Sequence, residues 1–323
     1  MSKQNMFTDL VFGLSDKEFS LLQGAVSMRL NKERYGATTF NELAVKYKRM
    51  PSCPDCGSEE SIKSSLTPDG IQRYICKDCG CRYNLLSNTI FHSTNRSFSC
   101  WTTYLTLMTF NVPLEMTEEI CRISHPTAML WRKKVFKTVD GYQNHLYLHG
   151  RVWIDETYIQ DSSLLHDDDH RKKRGLSKDL LCIAVAIDTN KNTYAVICGH
   201  GKPSGRRIYD AFKDHITPGS IIVHDGEKAH NMLISKLKLQ SEVYKADTSN
   251  QEYLDNMALI NNMCSWLKRY IYRFIGMRMV NLQSYLNWFV YLFRVKENVD
   301  KWPKMDRILR HLILSDVQYK RKA

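Results

Sequence analysis

The first fifty residues set apolar positions, among them Leu21, Leu22, Val26 and Met28, in a polar background at helical spacing, and the basic Lys46, Lys48 and Arg49 follow. Pro51 and Ser52 interrupt that period and open a cysteine-rich stretch. The helical period returns from Trp101 to Tyr142, divided by a loop at Asn111 to Pro113. Beyond His149 the texture becomes that of strands. Val152, Ile154 and Thr157 alternate around Asp155 as in a half-buried strand, and a polar loop from Gln160 to Lys178 follows. LLCIAVAID (180–188) and TYAVICG (193–199) are β-rich runs joined by TNKN, which reads as a hairpin. A helix over 206–216, the strand IIVHD (221–225), a helix after Gly226, the strand SEVYKA (241–246), a long helix from Met257 to Phe274 and a last helix over 281–296 complete the pattern. The aromatic residues Tyr285, Trp288, Phe289, Tyr291 and Phe293 on that last helix read as core packing.

From residue 150 onward the order is three strands, helix, strand, helix, strand, helix. Three antiparallel strands extended by parallel ones through helical crossovers make an α/β sheet covered on both faces, which is the element order of a ribonuclease-H-like domain. The predicted organisation is a helical segment at 1–50, a zinc ribbon at 51–92, a helical, helix-turn-helix-like region at 93–148, the ribonuclease-H-like domain at 149–300 and a basic tail at 301–323.

Charge narrows the partners. Lysine and arginine number 46 against 34 acids, a net charge of +12, which favours a polyanion and nucleic acid first. No apolar run approaches the roughly 18 residues of a membrane span, and the N-terminus lacks the plan of a signal peptide. The ten cysteines are therefore expected in a reducing compartment, where metal ligation is favoured over disulfides.

Cys53-Pro-Asp-Cys56-Gly and Cys76-Lys-Asp-Cys79-Gly are two Cys-x-x-Cys knuckles separated by 19 residues. Two residues between paired cysteines let both sulfurs of one turn face one ion, and Zn²⁺ prefers four thiolates in a tetrahedron. Gly57 and Gly80 permit the positive φ that closes each knuckle. Residues 114–136 predict a short helix, a turn at Ser124-His125 and a second helix from about Pro126, with Ile120, Ile123, Leu130 and Val135 on a buried face and Arg132, Lys133 and Lys134 expected to meet DNA phosphates.

Asp155 sits mid-strand, a poor place for a carboxylate unless a cation is near, and Asp225 ends the strand IIVHD. Acids at adjacent strand ends converge, and two aspartates without a cationic side chain between them suit Mg²⁺. Asn261 follows Asp225 after 35 residues and is expected as a third ligand on the long helix. Lys268, two turns on, shares its face, and Lys268 and Arg269 suit a phosphate near the metal.

These residues carry a resemblance. IDETYI (154–159), KKRGLS (172–177), GKPSGRRIYDAFKDHI (201–216), HDGEKAHNML (224–233) and INNMCSWLKR (260–269) resemble bacterial insertion-sequence transposases of the DDE type that carry an N-terminal zinc ribbon, in the group with Asn or His at the third catalytic position. The resemblance implies a ribonuclease-H-like fold and a catalytic set of Asp155, Asp225, Asn261 and Lys268. It implies Mg²⁺ or Mn²⁺ on Asp155, Asp225 and Asn261, structural Zn²⁺ on the four cysteines, and cleavage of element ends followed by strand transfer. The implied partners are the terminal inverted repeats and target DNA, bound by a homodimer or higher assembly, in a bacterial cytoplasm near the nucleoid and away from any membrane. Relatives often carry His at the position of Cys264. Asn261 and Cys264 together support the alternative of a catalytically inactive or co-opted sequence-specific DNA-binding protein derived from a transposase.

Overall fold

The computed structural model describes residues 3–67, 70–161, 177–274, 276–297 and 304–317. Helices α1 (Lys3–Phe12), α2 (Asp16–Tyr35) and α3 (Phe40–Lys46) precede strands β1 (Ser61–Leu66), β2 (Gln72–Cys76) and β3 (Arg82–Asn84). Helices α4 (Phe98–Thr109), α5 (Leu114–Cys121) and α6 (His125–Lys137) lead to strands β4 (Arg151–Gln160), β5 (Leu180–Asp188) and β6 (Thr193–His200). Then come α7 (Gly205–Phe212), β7 (Ile221–His224), α8 (Asn231–Lys236), β8 (Gln240–Val243), α9 (Gln251–Ile271), α10 (Leu282–Glu297) and α11 (Lys304–Leu314). No helix among the described residues is long and apolar enough to cross a membrane.

The chain divides into two compact units. One comprises Met1–Phe110, Thr117–Ile123 and Lys301–Ala323; the other comprises Asn111–Met116 and Ser124–Asp300. In the first, Ser15 opens α2 with a reciprocal capping box: its hydroxyl accepts from the Glu18 N–H while its own N–H donates to the Glu18 carboxylate at 2.9 Å. Phe40 stacks on Phe91 at 4.2 Å between ring centroids, and Trp101 meets Phe91 edge-on at 5.1 Å, building an aromatic core. The stretch expected as a basic tail instead carries α11. Ile308, Leu309, Leu312 and Ile313 recur three to four residues apart on one face and are all fully buried, so burial of that stripe orders the segment despite its basic flanks.

Arg49 closes this unit. Its buried guanidinium donates to the carbonyls of Leu85 at 2.8 Å, Ile313 at 2.9 Å and Ser87 at 3.0 Å, and pairs with Asp316. Arg49→Ala would orphan three carbonyls at roughly 1–3 kcal/mol each, so denaturant unfolding should show a loss of about 3 kcal/mol or more. A loss below about 1 kcal/mol would mean that water takes over those carbonyls.

The second unit is built on a five-stranded sheet in the order β6-β5-β4-β7-β8. β4 pairs antiparallel with β5, and β5 with β6; β7 runs parallel to β4, and β8 to β7. One face carries Val152, Ile154, Ala184 and Ile222 against Ile208 and Phe212 of α7 and Leu233 of α8. On the other face Trp153 donates its indole N–H to the Asn256 carbonyl of α9 at 2.6 Å, and Gln283 of α10 donates to the Ala195 carbonyl of β6 at 3.2 Å. Coverage on both sides explains why LLCIAVAID is a continuous apolar run. β4 is likewise a central strand rather than the half-buried one its alternation suggested, with Val152, Trp153 and Ile154 buried in succession.

One boundary differs from expectation for a local reason. α9 begins at Gln251, six residues before the apolar period does, because the Asn250 side chain caps it by accepting the Glu252 N–H at 2.9 Å. α10 buries Tyr285, Trp288 and Tyr291, the core role expected of its aromatics.

Candidate active site

β4 and β7 bring the two acids together. The parallel register sets Trp153 opposite Val223 and Val152 opposite Ile222. Asp155, two residues on from Trp153, shares its face of β4, and Asp225 directly follows the end of β7, near enough for its charge to act on the Asp155 carboxyl. The Asp225 carboxylate accepts the Glu227 N–H at 2.9 Å, and that of Asp155 accepts the Glu156 N–H at 2.8 Å. Burial, then the charge of Glu156 and that of Asp225, push the Asp155 carboxyl up to about 7; the Glu156 N–H and His230 pull the other way without prevailing. A half-buried carboxylate beside two other acids fits a divalent cation held through oxygen.

α9 lies over this pair. The Cys264 thiol donates to Asp155 Oδ2 at 3.9 Å, and burial, followed by the Asp155 charge, drives that thiol well above its ordinary value, with Lys268 opposing. Asn261, Cys264 and Lys268 follow one another at three and four residues and so share one face of α9. Asn261 is half-buried, and its amide N–H donates to the Tyr253 hydroxyl at 3.4 Å, leaving the amide oxygen as the available ligand atom. Cys264 touches an acid directly, a contact its sequence position did not foretell.

The opposite face of the same strands carries a buried polar chain that sequence reasoning missed. His230, fully buried, places Nε2 2.9 Å from Glu156 Oε1 and Nδ1 2.9 Å from His224 Nδ1. His224 Nε2 lies 2.9 Å from Ser241 Oγ, and the Gly226 N–H donates to His224 Nδ1 at 3.2 Å. That last bond makes His224 Nδ1 an acceptor, so His224 Nε2–H donates to Ser241 Oγ. Burial, then the neighbouring His230, lowers His224 to about 4, in keeping with a neutral ring. Only the six-residue spacing of His224 and His230 in HDGEKAH was visible beforehand; their partner Glu156 is far away in sequence.

The four knuckle cysteines also converge. Cys53 Sγ lies 3.5 Å from Cys79 Sγ, Cys56 Sγ lies 3.5 Å from Cys76 Sγ, and all four sulfurs fall within 4.8 Å of one another. A tetrahedral site with Zn–S near 2.3 Å needs sulfurs about 3.8 Å apart, so the cluster is consistent with zinc and too open for disulfides. Gly57 (φ 76°) and Gly80 (φ 75°) take the left-handed turns. They donate N–H groups to the Cys53 and Cys76 carbonyls at 2.9 and 3.1 Å. The antiparallel β1–β2–β3 sheet supports the second knuckle. Stripping metal with a strong chelator should melt this sheet and be reversed by Zn²⁺, read by circular dichroism and zinc release; an unchanged spectrum after complete metal removal would contradict a structural ion.

The basic residues expected at DNA divide. Arg132 is corrected: it is buried at 4% exposure, lies 5.1 Å from the Phe274 ring and donates to the Val112 carbonyl at 3.5 Å, so it cannot reach a phosphate. Ala128, Trp131, Val135 and Phe136 line the same face of α6 and explain its burial. Lys133 and Arg269 are exposed, and Lys134 and Lys268 are half-buried. Ile120, expected in the apolar face, is 52% exposed. α5 straddles the boundary between the units. All of KKRGLS except Ser177 lies outside the described residues.

Comparison with known proteins bears on this unit. Residues 147–294 match the ISXO2-like transposase domain family. An uncharacterized protein in transposable element ISH50 of Halobacterium salinarum is 26% identical over 137 residues, 41% of this chain and 45% of the relative. The alignment thus spans under half the length of that curated relative. Among solved structures, the Mos1 strand transfer complex overlaps at TM-score 0.28 and 12% identity, covering 71% of this chain and 82% of the other. The Mos1 mariner paired end complex with Mn overlaps at TM-score 0.28 and 13% identity, covering 68% and 79%. Overlaps of that degree carry no argument. The sequence match does: the segment holding Asp155, Asp225, Asn261 and Lys268 is similar to a transposase domain, which supports a transposase of DDE type.

Proposed function

We propose that this chain is a DDE-type insertion-sequence transposase that cuts element ends and joins them to target DNA. The observation that carries the reading is the nearness of Asp155 and Asp225, the charge of the second raising the carboxyl of the first, with the Asn261–Cys264–Lys268 face of α9 meeting Asp155 through Cys264. Asp155, Asp225 and the Asn261 amide oxygen would hold Mg²⁺ or Mn²⁺. When bound, the metal supplies a Lewis acid that lowers the cost of deprotonating the attacking hydroxyl and of charge on the leaving oxygen. The two carboxylates fix its place, and Lys268 offers a cation for a phosphate oxygen. The packing of α9 over β4 leaves Asp155 half-buried. Both steps are in-line phosphoryl transfers governed by positioning and charge neutralisation.

On this reading the five-stranded unit is a ribonuclease-H-like catalytic domain, the cysteine module a zinc ribbon, and α5–α6 a helix-turn-helix-like element. Lys133, Lys134 and Arg269 contact phosphates, and the working species is a homodimer or higher assembly on terminal inverted repeats and target DNA in the bacterial cytoplasm. Phosphate contacts make binding fall steeply with salt.

The Cys264 thiol on Asp155 favours a second reading, a DNA-binding protein that has lost catalysis. Plasmid DNA bearing the element's flanking ends, incubated with the protein and Mg²⁺ or Mn²⁺, separates the two. Breaks at the ends and joined products support a transposase; salt-sensitive binding without breaks in either ion supports the second reading.

A further inference from the structure

We propose that Glu156, His230, His224 and Ser241 form a brace that holds the Asp225 carboxylate in register with Asp155 for metal binding. All four are positioning residues, and the inference rests on Asp225 being a metal ligand.

The connectivity carries the argument. Glu156 directly follows Asp155 on β4, and His224 directly precedes Asp225 at the end of β7. The Glu156 side chain points to the face of β4 opposite Asp155, where His230 joins it to His224 with contacts of 2.9 Å on either side. The far end of the chain is tied to β8 through Ser241. The backbone is held as well. The Gly226 N–H donates to the His224 ring, Gly226 takes a φ of 90°, and the Glu227 N–H holds the Asp225 carboxylate. Each acid therefore has a chain neighbour fastened to the other's through two imidazoles.

Physical chemistry supplies the reason for such a device. Two close carboxylates repel when no cation lies between them, and β7 ends one residue before Asp225, so no ladder bond restrains that side chain. A braced backbone keeps the pair near its metal-bound spacing. Hydrogen bonds behind a ligand typically carry 10–100-fold in metal affinity or activity. His224, His230 and Asp225 have donor atoms within 4.8 Å of one another. Both ring nitrogens of His230 are engaged, by Glu156 and by His224 at 2.9 Å each, which favours a brace over an ion held by the two rings.

The test is Mn²⁺ binding by the zinc-loaded full chain, followed calorimetrically, with salt-sensitive DNA binding as the check on folding. His230→Ala should weaken Mn²⁺ binding about 10–100-fold. Glu156→Ala should do the same, and Glu156→Gln, which keeps an oxygen facing His230, should recover most of the loss. Ser241→Ala, at an exposed position that folding tolerates, should weaken it several-fold even if His230→Ala does not fold. Asp225→Ala is the companion arm. If it loses Mn²⁺ binding while folded His230→Ala, or failing that Ser241→Ala, binds like wild type, the brace is overturned and the metal assignment stands. If Asp225→Ala itself binds Mn²⁺ like wild type, the metal assignment falls and the brace with it.

Discussion

Asp225→Ala should abolish strand cleavage while leaving affinity for DNA nearly unchanged. On the proposed reading the Asp225 carboxylate, close enough to Asp155 for its charge to act there, holds charge against a metal rather than meeting a phosphate. Losing it removes half of the charged ligand set. A metal's stabilisation of developing charge is worth several kcal/mol, so the loss corresponds to a rate reduction on the order of a thousandfold or more. DNA affinity comes chiefly from lysines and arginines elsewhere and loses no contact. Single-turnover cleavage and a binding titration on the same preparation give both numbers. Cleavage persisting at the wild-type rate would remove Asp225 from the catalytic set.

The second large effect runs against intuition. With no Mg²⁺ or Mn²⁺ added, Asp155→Asn should be more stable than wild type at pH 8 and catalytically dead. Burial comes first, then the charges of Glu156 and Asp225, in raising the Asp155 carboxyl from its ordinary 3.8 to about 7. The folded state therefore retains a proton that the unfolded state has released over that interval. Stability falls as pH rises from about 4 to about 7 and levels off above, where the buried carboxylate is ionised in both states. A shift of that size amounts to about 4 kcal/mol at most, and the neutral amide escapes much of it. Denaturant midpoints of both proteins between pH 4 and 8 decide the matter. The stability of the variant relative to wild type should grow with pH across the window, since other titrating groups such as His224 act alike in both; parallel curves would contradict the electrostatic account. A site destabilised until metal arrives is a frequent cost of function.

Much of this was legible in the chain because the signals are local. Two Cys-x-x-Cys-Gly knuckles specify a four-sulfur cluster by spacing alone, and the sulfurs do converge. The continuous apolar run of LLCIAVAID marked a strand covered on both faces. Arg132 was legible and misread. It lies four residues from both Ala128 and Phe136 and so belongs to the buried face of α6, but its place in the run Arg132-Lys133-Lys134 drew it to the surface. α11 was hidden by basic flanks that outweighed its apolar stripe. What no local pattern could give was the Glu156–His230–His224 chain, which depends on the parallel pairing of β4 with β7. Cys264 is a similar case. Its contact with Asp155 arises from the packing of α9 on β4, which spacing along the helix does not encode.

The most direct measurement is the position of manganese in crystals of the full chain grown with Mn²⁺ and diffracted at the manganese edge. The proposed chemistry requires an anomalous peak bonded to a carboxylate oxygen of Asp155 and one of Asp225, with the Asn261 amide oxygen turned toward it. Manganese held by neither acid or by only one, with the two carboxylates directed apart, would contradict it.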